Sequence, residues 1–177
     1  NACVVTTTNV AYCAGDNWKY GGSVNGLLGT GNTVDLNIPI TAPELFIMPG
    51  GVTVKSMFVQ DRLTCAIGSN DNAYCAGNNV YGTLGQGNVN VYVNPVLYPL
   101  PGGRKAKQIV GNYHNNGAFR INVLATDGTI WGSGLNSDGE LGNNTTAQAN
   151  SPVQFGSRTD YAAMITGDQH VCGITAA

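Results

Sequence analysis

A tetrapeptide returns along this chain at a nearly constant distance, and that recurrence removes most architectures from consideration. Gly26-Leu27-Leu28-Gly29, Gly82-Thr83-Leu84-Gly85 and Gly139-Glu140-Leu141-Gly142 share the pattern G-x-L-G, and successive copies begin 56 and 57 residues apart. Pro39-Ile40, Pro95-Val96 and Pro152-Val153 recur at the same spacings. Self-similarity at such a period is the mark of stacked supersecondary units, none of which can bury its apolar surface alone. Upstream of each G-x-L-G stand an apolar strand, a polar turn and an aromatic-led second strand: Val4-Val5 with Tyr12, Ala66-Ile67 with Tyr74, and Val123-Leu124 with Trp131.

Each unit reads as short strands punctuated by turn chemistry. Residues 6–9 (TTTN), 69–72 (SNDN) and 126–129 (TDGT) join two strands as hairpins. No apolar period of a helix is present. Two further strands per unit are expected, one at the Pro-Ile or Pro-Val pair and one closing the repeat, at Val52-Thr53-Val54, Lys107-Gln108-Ile109-Val110 and Ala162-Ala163-Met164-Ile165. The glycines of G-x-L-G are expected at positive φ, with the Leu inward. Tyr12, Tyr74 and Trp131 occupy one equivalent position and are expected in the core.

Gly167-Asp168-Gln169-His170-Val171-Cys172, Thr64-Cys65-Ala66-Ile67, Tyr74-Cys75-Ala76-Gly77-Asn78-Asn79 and Tyr81-Gly82-Thr83-Leu84-Gly85 resemble repeats of the RCC1 type, and the resemblance covers nearly the whole chain. It implies an all-β protein of tandem four-stranded antiparallel blades, three repeats of a propeller that usually has about seven. The expected units are repeat 1 at about 1–63, repeat 2 at about 64–120, repeat 3 at about 121–170 and the start of a further repeat at 171–177. The first repeat departs from the pattern by an insertion between Gly15 and Gly26, and the second by one between Gly111 and Asn122. Gln60 stands where a Gly is expected. Val171-Cys172-Gly173-Ile174-Thr175 aligns with Ala2-Cys3-Val4-Val5-Thr6, so one strand is represented twice. Three blades leave sheet faces and edges to be covered, either by more of a larger ring or by association of copies through the terminal strands.

The cysteines fall in repeat register. Cys3 and Cys13 have the spacing of Cys65 and Cys75, each pair flanking a hairpin turn. Directly opposed residues on neighbouring strands have Cα atoms about 4.5 to 5.5 Å apart, so each pair can form a disulfide without moving the backbone. The third repeat carries Asn122 and Gly132 at these positions, a paired loss expected of a bridge. Cys172 is unpaired, or pairs with another molecule. Buried free thiols and a zinc site are the rival readings, although C-x-x-C spacing is absent. Disulfides place the protein outside the cell, secreted or on the surface.

Charged residues make up 10% of the chain and the net charge is -2, which disfavours a phosphate backbone or an anionic membrane as partner. The longest apolar stretches, such as Leu45-Phe46-Ile47-Met48, fall far short of the roughly 20 residues of a spanning helix. Residues 1–7 lack a basic start and apolar run, which leaves export unaddressed.

Catalytic chemistry is not assembled. His170 matches the strand-start position of the repeat and reads as a hydrogen-bonded turn histidine, and His114 lies in the second insertion. Asp71, Asp127 and Asp138 are explained by turn-shaping bonds. No metal, cofactor or catalytic set is nominated, and no enzyme is expected. Pro101-Gly102-Gly103-Arg104-Lys105-Ala106-Lys107 is the basic cluster, but aromatic platforms for nucleic acid are missing. Candidate contact residues are Trp18, Lys19 and Tyr20 in the first insertion and Tyr113, His114 and Asn115 in the second. Asn143 and Asn144 head overlapping N-x-T sequons that a eukaryotic secretory pathway could glycosylate.

The expected function is therefore an extracellular structural or interaction protein, a rigid scaffold for protein contacts or for self-assembly into a surface filament. A carbohydrate-binding or adhesin module is the alternative, motivated by the Asn, Tyr and Trp of the insertions. A fragment of a seven-bladed propeller that binds or inhibits a protein is the third. Nucleotide exchange on a small GTPase, the intracellular role the resemblance brings with it, is disfavoured by the paired cysteines.

Overall fold

The computed structural model describes residues 1–15, 17, 27–31, 40–114 and 118–176. The chain is organised as two compact units, Asn1–Asn78 with Asn90–Leu97, and Asn79–Val89 with Tyr98–Ala177.

The first unit holds a sheet of β1 (Ala2–Val5), β2 (Ala11–Gly15) and β3 (Ile40–Leu45), and a four-stranded sheet of β4 (Val54–Val59), β5 (Leu63–Gly68), β6 (Ala73–Gly77) and β7 (Tyr92–Leu97), all pairs antiparallel and in chain order. β5 and β6 are buried along their whole length. The polar residues between paired strands turn the chain: Asn9 and Asp71 adopt φ of 61° and 60° in the β1–β2 and β5–β6 turns, a conformation that short polar side chains tolerate. Ala11, Cys13 and Leu28 pack with Phe46, Val54 and Ala66 into an apolar cluster flanked by Cys3, Ile40, Met48 and Met57.

The second unit holds a four-stranded sheet of β8 (Ala106–His114), β9 (Ala118–Ala125), β10 (Ile130–Gly134) and β11 (Ala149–Gln154), and a hairpin of β12 (Tyr161–Thr166) and β13 (Val171–Thr175). Leu124, Ile130 and Met164 form its apolar cluster, with Val110, Phe155 and Tyr161 against them.

The closing strand of each repeat does not join the sheet of the repeat it ends. β4 follows the Pro-Ile strand of repeat 1 but pairs with β5 of repeat 2, and β8 and β12 likewise pair forward with β9 and β13. The cause is local. Between β4 and β5 only residues 60–62 intervene, and Gln60 N–H donates to the Leu63 carbonyl at 3.0 Å, so the chain reverses at once and the next repeat's first strand satisfies the ladder. Sheets therefore straddle the repeat boundaries suggested by the sequence period.

The G-x-L-G loops are ordered by a buried asparagine that the sequence reading did not single out. Asn79 Oδ1 accepts from Leu84 N–H at 2.7 Å and Asn136 Oδ1 from Leu141 N–H at 2.8 Å, each from a residue five positions on. Asn17 Oδ1 accepts from Leu28 N–H at 3.3 Å, eleven positions on, because the first insertion lies between them. Leu28, Leu84 and Leu141 are fully buried. Gly82 and Gly85 both have φ of 70°; at Gly85 a Cβ would also meet the Tyr98 ring at 3.0 Å, so both backbone angle and space demand glycine there. The loops dock through their backbones: Thr64 Oγ1 donates to Leu27 O at 2.9 Å, Thr83 Oγ1 to Phe119 O at 3.0 Å, and Ser133 Oγ to Thr83 O at 2.7 Å. Tyr98 meets the same Ser133 hydroxyl at 3.0 Å, and burial holds its phenol well above the ordinary value against the opposing effect of that bond.

Candidate functional site

Side chains alternate across a strand, so each sheet presents rows of directly opposed residues on either face. One such row runs Val4, Tyr12, Leu45 across β1, β2 and β3. All three are open to solvent, at 60%, 37% and 45%. In the next sheet the same row is Ala66, Tyr74, Leu97, and there Ala66 and Tyr74 are buried while Leu97 is exposed. The expectation that Tyr12, Tyr74 and Trp131 are all core residues thus holds for Tyr74 and fails for Tyr12. The reason lies in the short 3-10 turn ahead of each outer strand. After Pro49–Gly51, Val52 and the Tyr74 ring both close on Gly68, where a Cβ would stand 2.5 Å and 3.1 Å from them. After Pro101–Gly103, Arg104 lies 5.1 Å from the centre of the half-buried Trp131 ring. No strand lies outside β1 among the described residues, so Tyr12 has no such cover.

A second open face belongs to the β12–β13 hairpin. Ile165 and Ile174 are 59% and 53% exposed and Cys172 is an exposed free thiol. The counterparts of Ile174 and Cys172 are covered: Ile67 and Leu124 for the first, and Cys65 and Asn122 for the second, are all buried.

Cys3–Cys13 and Cys65–Cys75 are disulfides between directly opposed residues, each with Cα atoms 4.1 Å apart. Asn122 and Gly132 face one another in the same way on β9 and β10. The Asn122 side chain fills the space of the missing sulfurs so closely that a Cβ on Gly132 would collide with its Nδ2. Both polar atoms of that amide are buried without a hydrogen-bond partner.

The hairpin is held to the sheet before it by Arg120 and its neighbours on β8. The Arg120 guanidinium is 3% exposed and donates to the carbonyls of Asp168, Gly167 and His170 at 3.0, 3.1 and 3.3 Å, with Glu140 at 3.8 Å. Burial draws its pKa below the ordinary value, opposed by Glu140, Asp168 and Asp138. Gln108 and Asn112, on the same face, bond to Met164 and to Gly167. Arg120 escaped the sequence reading because nothing in its strand marks a buried cation.

The remaining predicted residues divide as follows. Trp18, Lys19, Tyr20 and Asn115 lie outside the described residues, while Tyr113 and His114 end β8 opposite Phe119 and Ala118. Asp127 shapes its turn, its Oδ1 accepting from the Thr129 amide at 3.1 Å and the Thr129 hydroxyl at 2.6 Å. Asp71 instead pairs with Lys55, and Asn70 makes the turn bond, to the Asn72 amide. Asp138 meets the Ser137 hydroxyl, and its amide is bonded by Glu140, so its carboxylate is not the turn former expected. His170 is exposed in its turn. Arg104 is held by Asp127 and Pro101, and Lys107 by Ala162, so the basic cluster is tied down. Asn143 Oδ1 is engaged by Thr145, whereas Asn144 is exposed. Among the described residues no group of three or more His, Cys, Asp or Glu could hold a metal. Among the described residues no helix is long and apolar enough to cross a membrane.

No family model matches the sequence, and no curated protein matches it. Solved structures do. The yeast RCC1 (Prp20) structure determined with Kap60 matches with a TM-score of 0.73 at 15% identity, over 98% of this chain and 40% of that one. Prp20p from Saccharomyces cerevisiae, described together with its binding to Gsp1p and histones, matches at 0.68 and 15% identity, over 86% and 35%. Human WBSCR16 matches at 0.56 and 18% identity, over 70% and 30%. The chain thus spans at most two fifths of the length of these structures. With its forward-pairing closing strands and four-stranded antiparallel sheets, it has the fold of the RCC1-type β-propeller.

Proposed function

We propose that the chain is a non-enzymatic scaffold for protein contacts, working outside the cell, and that the contacts are made by the two open sheet faces. The observation that carries this reading is the pair of exposed rows. Val4 and Tyr12 at one face, and Ile174 at the other, are open, while their counterparts Ala66, Tyr74, Ile67 and Leu124 are buried. Apolar rows built to pack against a neighbouring blade gain stability from whatever protein surface covers them. The two disulfides support an oxidising compartment. Prp20p is described as binding Gsp1p and histones, so blades of this fold serve protein recognition elsewhere.

The test is the mass in solution by light scattering. A mass that rises with concentration, and falls back to the monomer in Ile174→Asp, is the expected result; a monomer at every concentration refutes contact between copies. Alkylation and mass spectrometry of the secreted protein should find one reactive thiol and four protected cysteines. A second reading, that further blades of a larger ring cover these faces, is favoured by the length of the matching structures. It predicts a monomer whose Tyr12 and Ile174 become protected when the polypeptide is extended at either end.

A further inference from the structure

We propose that Arg120 and Glu140 form an acid-sensitive latch: at neutral pH the buried pair holds the β12–β13 turn against β9, and protonation of Glu140 releases it. The latch is independent of the contact reading above.

Among the described residues, Arg120 and Glu140 are the two buried charged side chains, at 3% and 4% exposure. They face one another, with Arg120 Nη1 3.8 Å from Glu140 Oε1. The repeat itself does not require them. One repeat earlier, the strand position opposite Gly77 holds Leu63, as Arg120 stands opposite Gly134, and the second residue of G-x-L-G is Thr83 in place of Glu140. An apolar and a neutral residue serve the fold at these positions, and the third repeat has an ion pair there instead.

The pair lies where a loop, a strand and a turn meet. Glu140 belongs to the loop between β10 and β11, where its Oε2 accepts from the Asp138 amide at 3.0 Å. Arg120, on β9, reaches the β12–β13 turn: Nη1 donates to Asp168 O, and Nη2 to the carbonyls of Gly167 and His170 and to Thr166 Oγ1. From β8, Asn112 Nδ2 donates to Gly167 O at 2.6 Å. The His170 ring lies over Gly167, where a Cβ would collide with it. The titratable groups around the guanidinium are therefore Glu140 and Asp138 from the loop and Asp168 and His170 from the turn, while β8 contributes the neutral Asn112.

Burial selects Glu140 among them. Asp138, Asp168 and His170 are exposed, so water and salt screen their charges. Glu140 is the carboxylate that shares the dry surroundings of the guanidinium, where attraction is strongest. Arg120 has nothing in reserve: its Nε is already buried without a partner, and a guanidinium does not discharge when its counter-ion is lost. Protonating Glu140 therefore leaves a buried cation uncompensated, and opening the turn to water relieves it. The sign follows from linkage: the stabilisation is present while the carboxylate is ionised and is lost as pH falls. A proton on His170 adds a like charge at the same turn and acts in the same direction.

The experiment measures amide hydrogen exchange of the full chain from about pH 7 to about pH 4, each rate divided by the intrinsic rate at that pH. The Gly167 amide, which donates to His170 O, and the Ile165↔Cys172 rung report the turn, and the amides of β6 report the disulfide-linked sheet. Turn protection should fall on the order of 100-fold in acid, the equilibrium equivalent of losing one partner of a buried pair, while β6 is unchanged. Glu140→Gln should show the low protection already at neutral pH and lose most of the pH response. Asp138→Asn, Asp168→Asn and His170→Asn should each keep that response. Turn and β6 losing protection together means global unfolding and overturns the latch, as does a wild-type profile in Glu140→Gln. A response lost in one of the other three variants and kept in Glu140→Gln moves the switch to that group and overturns the assignment. Should Glu140→Gln not fold, a turn-selective loss in wild type that survives the other three substitutions supports the latch, and its absence in wild type refutes it.

Discussion

Converting Asn122 and Gly132 together to cysteine should install a third disulfide and stabilise the second unit. The two residues are directly opposed, in the register that holds Cys65 and Cys75 with Cα atoms 4.1 Å apart. Cross-linking residues at a sequence separation of 10 stabilises by about 3 kcal/mol on the chain-entropy account. Removing the Asn122 amide, whose two polar atoms are buried without partners, adds roughly 1 to 3 kcal/mol. Against this, a Cβ at Gly132 stands 2.8 Å from Leu141 Cδ2, and accommodating it costs about 1 to 3 kcal/mol. The net gain is about 3 kcal/mol, which for a chain of this size raises Tm by roughly 6 to 12 °C. Calorimetry and urea unfolding of the same variant, oxidised and then reduced, isolate the bond from the substitutions. Gly132→Ala alone should destabilise, because its methyl collides with Asn122 Nδ2, and Asn122→Ala in the same chain should recover most of the loss. An oxidised double variant, with its bond verified by mass, that melts no higher than its reduced form would refute the reasoning.

Tyr74 is buried and its hydroxyl accepts from Asn70 Nδ2 at 2.8 Å, whereas Tyr12 is open, so Tyr74→Ala should cost about 3 kcal/mol or more and Tyr12→Ala well under about 1 kcal/mol, read as shifts in the urea midpoint. Arg120→Ala leaves carbonyls of the β12–β13 turn and Glu140 without their buried cation; a loss of about 3 to 5 kcal/mol is expected, with faster amide exchange across residues 161–175. At Asp127 burial alone would raise the carboxyl pKa, but the bonds from Thr129 and Arg104 outweigh it and hold it below the ordinary value. Its stabilising contribution is therefore complete above the unfolded value of about 3.9 and lost as pH falls through the lower folded value. Acid unfolding should be less steep over that window in Asp127→Asn, and an unchanged slope would count against it.

Much of the fold was legible because its signals are local. A hairpin is announced by its turn residues, as at residues 69–72 and 126–129, and a cross-strand disulfide by two cysteines placed symmetrically about such a turn. The G-x-L-G glycines carry their own requirement for positive φ. The asparagines that order those loops were missed because the first insertion moves Asn17 from five to eleven residues ahead of its Leu, which hides the recurrence. That some sheet faces are open was expected, but which residues form the open rows was not legible, for another reason. Val4 and Ala66, or Tyr12 and Tyr74, are nearly the same in composition, and only the presence of a neighbouring strand and its 3-10 turn makes one buried and the other open.

The period of the chain, its strands and turns and its cysteine pairing are thus written in residue types and short spacings, since each depends on contacts within a hairpin. Which sheet a closing strand joins, which aromatic ring is covered and that Arg120 is buried among carbonyls were decided only in three dimensions. Those outcomes depend on surfaces brought together from some fifty residues away, where no spacing along the chain records what a side chain will meet.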